Sequence, residues 1–231
     1  MFAGGLTTYA YIFSYGKVEM DPVKLAGVRN WPAPKNVTEV QSFLGFLNFY
    51  RRFVRDFSTI AQPLNALTRK DTPWQWGSHQ QEAFDHLKEC ITTTPVLVQP
   101  DNTKPYRLET DSSGYATGAI LSQMGPSDKW HPVAYYSKSL SGAERNYNIH
   151  DKELLSVVRA LKEWRHLLEG ARHPIEIWND HKNLAYFQTA QHLNRRQSHW
   201  SLTLAQFNFI LQHRLGKKFW QTRCTFKKTS S

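Results

Sequence analysis

Acidic residues, cysteines and long apolar runs are all scarce in this chain, and each scarcity excludes something. No Asp or Glu follows Asp180, so chemistry that needs a late carboxylate has no residue to use. Cysteine occurs only as Cys90 and Cys224, in unlike contexts. They form neither a zinc spacing nor a disulfide framework, which fits a reducing compartment. No apolar stretch approaches the ~20 residues that a membrane span needs. The opening Met-Phe-Ala-Gly-Gly-Leu has no positive n-region and no cleavage signature, so it does not read as a secretory signal. The expectation is an intracellular chain, cytoplasmic or nuclear, with no membrane partner.

Aromatic and basic side chains are plentiful. With 8 Trp, 10 Tyr and 13 Phe in a hydrophobic fraction of 40%, the chain can build a core, and its 231 residues allow one large domain or two small ones. The 29 basic and 19 acidic residues leave a formal charge of +10, which makes a polyanion a reasonable partner. Half of that excess sits in residues 217–231, where Lys217, Lys218, Arg223, Lys227 and Lys228 face no acid. The remainder is only mildly basic.

Residues 1–20 show no clear periodicity. Asp21-Pro22 then opens a helix that Trp31-Pro32-Ala33-Pro34 closes. Thr38-Glu39-Val40-Gln41 has capping-box form and predicts a second helix to about Asp56, with Val40, Phe43, Leu44, Leu47 and Tyr50 at helical spacing. A third helix is expected from Gln80 to Cys90. Beyond Pro95 and Pro100 the pattern turns to period two, predicting strands at 105–111, 115–123 and 131–137. A long helix from His150 to Leu168 carries the stripe Leu154, Val157, Val158, Leu161, Trp164 and Leu168. Ile175 to Asn179-Asp180 reads as a strand, followed by helices at 182–189 and 195–206 and a strand from Asn208 to His213. This order implies an α/β fold: a mixed sheet flanked by helices, preceded by a small helical unit.

Asp111 ends the first of these strands, Glu153 is placed in the first turn of the long helix, and Asp180 ends the fourth strand. Taken singly, Asp111 belongs to an ordinary Asp-Ser-Ser-Gly turn, Glu153 counters a helix dipole and Asp180 caps a helix. If the fourth strand lies beside the first, the three meet. Clustered carboxylates repel unless a cation neutralises them, and oxygen-only ligands suit Mg²⁺ or Mn²⁺. His181 has no second His at a matching spacing and suggests no transition metal.

Thr110-Asp111-Ser112-Ser113, Gly118-Ala119-Ile120-Leu121-Ser122-Gln123, Pro132-Val133-Ala134-Tyr135-Tyr136-Ser137, Glu144-Arg145-Asn146-Tyr147, Asp151-Lys152-Glu153-Leu154-Leu155 and Asn179-Asp180-His181-Lys182-Asn183-Leu184 resemble the ribonuclease H domain of gypsy-type LTR retrotransposon polyproteins. Upstream, Gly16-Lys17-Val18, Phe43-Leu44-Gly45-Phe46-Leu47-Asn48-Phe49-Tyr50-Arg51-Arg52-Phe53 and Trp76 through Pro95-Val96-Leu97 resemble the palm end, thumb and connection of the same polyprotein. The resemblance implies that Asp111, Glu153 and Asp180 are catalytic and hold two Mg²⁺ ions, with Mn²⁺ as the substitute. It implies hydrolysis of the RNA strand of an RNA–DNA hybrid, with Lys138, Arg145, Lys182, Asn183, Arg195 and Arg196 as nucleic-acid contacts. It divides the chain into a palm remnant at 1–20, a helical thumb and connection at 21–95, a ribonuclease H-like domain at 101–216 and a basic tail at 217–231.

The resembled polymerases carry Tyr-x-Asp-Asp, whereas this chain has no adjacent Asp pair, so it is not expected to synthesise DNA. The resembled nucleases also have a fourth Asp in a segment like Gly-Lys-Lys-x-x-x-Ala-Asp-Ala-Leu-Ser. Gly216-Lys217-Lys218-Phe219-Trp220-Gln221-Thr222 fits its start and then the match stops. Arg223 to Thr229 can be encoded AGA TGC ACT TTC AAA AAG ACC, and dropping the first base spells Asp-Ala-Leu-Ser. The expectation is therefore a shifted frame that replaces the fourth acid with Arg223 and impairs the nuclease. An integrase or transposase would need a Glu after two Asp, which is absent. The rival readings are a transposon remnant that binds nucleic acid without cutting and an inert fragment; divalent-metal titration separates a nuclease from a binder.

Overall fold

The computed structural model describes residues 7–8, 11–14, 16–93, 96–125, 128–179 and 193–213. Strands β1 (Thr7–Thr8), β2 (Tyr11–Ser14) and β3 (Lys17–Met20) lead into helices α1 (Pro22–Arg29) and α2 (Val37–Asn48). A short 3-10 turn (Arg51–Phe53), α3 (Phe57–Ile60), α4 (Gln62–Leu67), α5 (Ser78–Thr92) and β4 (Leu97–Val98) complete the first part. The second part runs β5 (Tyr106–Ser112), β6 (Ala116–Met124), β7 (Trp130–Ser139), α6 (Gly142–Arg145), α7 (Ile149–Glu163), α8 (Arg165–Leu168), β8 (Ile175–Asn179), α9 (Arg195–Leu204) and β9 (Phe209–His213).

Local chemistry explains several boundaries. Asn36, rather than Thr38, caps α2: its side chain accepts from the Glu39 N–H at 2.9 Å, while Glu39 accepts from the Lys35 N–H at 2.7 Å. The helix expected to continue to Asp56 stops at Asn48, and Asp56 itself adopts a left-handed φ of 54°, which no helix interior accommodates. The long helix likewise breaks at Trp164, whose φ of −102° and ψ of 24° separate α7 from α8. β2 and β3, patternless in sequence, pair antiparallel, with Gly16 before β3 at a φ of 78°. β3 also pairs with β4 through Lys17↔Val98 and Val18↔Leu97, so the first part holds a small sheet as well as helices.

The larger sheet has the order β7-β6-β5-β8-β9. β5, β6 and β7 are antiparallel neighbours, whereas β8 runs parallel to β5 and β9 parallel to β8. This is the expected α/β fold of a mixed sheet with flanking helices. Described apolar side chains gather in two clusters. One joins Leu108, Leu121, Val157, Leu161 and Ile177 between the large sheet and α7; the other joins Val40, Phe43, Phe53, Leu64, Phe84 and Leu97. β7 touches both, since Tyr136 packs on the first cluster and Tyr135 on the second.

Candidate active site

Tyr106, Leu108 and Thr110 of β5 are buried on the α7 side, and alternation sets Arg107, the buried Glu109 and Asp111 on the other face, so Asp111 and Glu153 can share a cation only around the end of the strand. Parallel pairing of Leu108 with Ile177 and Glu109 with Trp178 brings the ends of β5 and β8 together, as the three-acid expectation required of these strands. Asp111 is exposed at the end of β5, opposite Gly118 of β6.

Glu153 is fully enclosed, with 1% of its surface accessible. It is the fifth residue of α7 and not in its first turn; that turn holds Asp151 instead. Two residues beyond Asp151, Glu153 reaches the ends of β5 and β8. Ser112 Oγ donates to its Oε1 at 2.6 Å, and Asn179 Nδ2 donates to its Oε2 at 2.8 Å. Asn179 also donates to Thr110 Oγ1 at 3.2 Å. The helix carboxylate is therefore tied to both strand ends by the residues flanking Asp111 and preceding Asp180. Asp180 lies outside the described residues, and among those described no three His, Cys, Asp or Glu side chains form a metal-binding group. The donor chemistry of Asp111 and Glu153 fits a hard cation: both offer oxygen only, and a carboxylate with about four lone-pair sites accommodates two hydrogen bonds together with a metal.

Asp151, quoted in a sequence motif but given no role of its own, is the second buried acid of this helix at 1% exposure. Its N–H donates to the Asn148 cap at 2.7 Å, and its carboxylate accepts from Gln197 at 2.9 Å and from Arg196. The spacing Asn148-x-x-Asp151 is a capping signal that sequence alone contains; its pairing to α9 is not. Arg196 thus faces inward, with its guanidinium 3.8 Å from the Tyr147 ring centroid and 5.5 Å from that of Trp200. Of the other expected nucleic-acid contacts, Lys138, Arg145 and Arg195 are exposed, and Arg145 lies 5.9 Å from the Tyr115 ring. Lys182 and Asn183 lie outside the described residues.

Behind the site, Arg159 holds Glu144 through two bonds of 2.8 Å. Burial pushes the Glu144 carboxyl up, but the Ser141 N–H bond, the Arg159 charge and the remaining hydrogen bonds outweigh it and leave the group below its ordinary range. No described helix is long and apolar enough to cross a membrane.

Residues 76–177 match the family described as an RNase H-like domain found in reverse transcriptase. The Tf2-3 and Tf2-4 transposon polyproteins of Schizosaccharomyces pombe are 42% identical over 191 residues, covering 82% of this chain and 14% of each relative. Among solved structures, a foamy viral protease-reverse transcriptase in complex with double-stranded DNA superposes with a TM-score of 0.74 at 21% identity, over 91% of this chain and 38% of that one. The foamy viral protease-reverse transcriptase in complex with an RNA/DNA hybrid gives 0.72 at 20% identity, over 98% and 31%.

Proposed function

Since residues 76–177 belong to the RNase H-like domain family of reverse transcriptases, we propose that this retrotransposon polyprotein segment is a nuclease for the RNA strand of RNA–DNA hybrids, with Asp111, Glu153 and Asp180 as its metal-binding carboxylates. One observation supports the reading: a buried glutamate on α7 is hydrogen-bonded to Ser112 and Asn179, at the ends of two adjacent parallel strands, and these residues are the sequence neighbours of Asp111 and Asp180. Two bound Mg²⁺ ions would supply an activated water and stabilise the leaving oxygen. Ser112 and Asn179 orient the Glu153 carboxylate toward that site. Lys138, Arg145 and Arg195, with Lys182 and Asn183, would hold phosphates of the hybrid, and contacts to ribose 2′-hydroxyls would identify the strand to cut.

Loss of the fourth acid at Arg223 weakens metal binding in this reading and makes cleavage slow. The test is Mg²⁺-dependent cleavage of an end-labelled hybrid by the full chain, beside D111N, E153Q and D180N and beside a variant whose codons from 223 onward are shifted to restore Asp-Ala-Leu-Ser. The repaired chain should cut faster and each carboxylate variant of it should lose cutting. If the repaired chain binds hybrid in chelator and never cleaves it with Mg²⁺, the chain is a non-catalytic binder and the nuclease reading falls.

A further inference from the structure

The first part of the chain meets the large sheet at β7 through two segments, residues 51–58 and β4. Across β5, β6 and β7, the register sets Asp111, Gly118 and Ser137 side by side in one row. Gly118 and Ser137 meet the segment 51–58. Ser137, 2% exposed, accepts the Ser58 N–H on its Oγ at 3.0 Å, and its carbonyl accepts from Arg51. At Gly118 a Cβ would lie 2.9 Å from Asp56 Oδ1. The glycine therefore leaves a notch in the sheet surface, and the Asp56 carboxylate occupies the space where a side chain would project.

The segment is shaped for this contact. Asp56 takes a φ of 54°, an αL position that Asp tolerates and most residues avoid. This turn lets α3 begin directly over β7, and the Asp56 carbonyl accepts from Thr59 and Ile60 at 2.9 and 3.1 Å. Arg55 reaches Asp56 Oδ2 at 3.4 Å. In the adjacent row Glu109 and Ile120 align with Tyr135, which packs on the helical cluster. Burial raises the Tyr135 phenol, with Arg55 opposing and Glu109 and Asp56 adding to the shift, so the segment's charges and the sheet's face one another across this contact.

We propose that residues 51–58 form a docking latch in which Asp56 seats in the Gly118 notch and Ser58 and Arg51 clasp Ser137, holding the helical unit on the sheet row that carries Asp111. The latch is a property of the fold and holds whether or not the chain cuts nucleic acid.

Gly118→Val in the full chain tests it, because valine suits a strand but fills the volume that Asp56 uses. Hydrogen exchange of residues 51–60, read by mass spectrometry, should quicken by about tenfold or more as the latch opens, while the interior amides of α2 keep their rates. Asp56→Gly in the same chain frees the notch and suits the left-handed φ, so the double variant should return to within about threefold of the parent. Asp56→Asn in place of glycine keeps the bulk and should give no rescue. Should G118V fail to fold, Ser137→Ala removes the acceptor of the Ser58 N–H and should quicken exchange at that amide by a similar factor. Unchanged exchange in the foldable variants, or equal rescue by D56N and D56G, would overturn the latch.

Discussion

Replacing Arg196 with methionine should loosen the helix that delivers Glu153, and the structure sets the size of the effect. Asp151 is enclosed with its side chain 2% exposed, whereas that of Arg196 is 37% exposed. Deleting one partner of a buried ion pair typically costs about 3–5 kcal/mol, because the other charge stays buried without its counterion. Here Gln197 and Asn148 continue to donate to Asp151, and water can follow the exposed side of the Arg196 site. The lower end, about 3 kcal/mol, is therefore expected for R196M, a drop in Tm of about 6–12 °C for a chain of this size. Neutralising the orphaned acid as well, in D151N/R196M, should recover about 1–2 kcal/mol relative to the sum of the single losses. Urea unfolding would give the energies, and hydrogen exchange would locate the loss at the start of α7. A loss below about 1 kcal/mol for R196M, or strict additivity in the double variant, would refute the view that this pair pins α9 to α7.

Three further outcomes follow from the same geometry. Because Arg196 faces Asp151 and Arg195 faces solvent, R195M should lower the salt slope of hybrid binding by up to about one unit while R196M leaves it unchanged; equal slopes in a filter-binding titration would count against this division. Asn179→Ala removes the donor to Glu153 Oε2 and should reduce Mg²⁺-dependent cleavage by the repaired chain about 10–100-fold with the fold retained, read as a shifted Mg²⁺ titration. The Glu144 carboxyl lies below its ordinary value of 4.5 in the folded chain, so its contribution is present above that value and is lost as pH falls through the folded one. E144Q should accordingly flatten the fall in Tm below about pH 4.5, and an unaltered acid slope would contradict the assignment.

Periodicity made most element types legible, because period two and period 3.6 are properties of neighbouring residues and need no partner to be seen. The β5, β6 and β7 strands, the α7 stripe and the acids Asp111 and Glu153 all stand in the sequence at the spacing the fold uses. Boundaries shifted where a side chain or a backbone angle intervened, as at the Asn36 cap, the left-handed Asp56 and the break at Trp164. The β2–β3 pair was hidden because its strands are short and one of them pairs with residues 97–98, far along the chain.

Which side chains meet was decided by tertiary structure alone. Ser112 and Asn179 read as ordinary turn and strand-end residues until parallel pairing of β5 with β8 brings both to Glu153. Arg196 reads as a nucleic-acid contact beside Arg195 until α9 packs on α7 and turns its guanidinium onto the buried Asp151. Gly118 belongs to a strand pattern that says nothing of Asp56, which lies in another part of the chain and meets it only in the folded structure. Local spacing records the period of an element; a contact across the fold depends on register and packing angle, which arise only when separate hydrophobic faces bury one another.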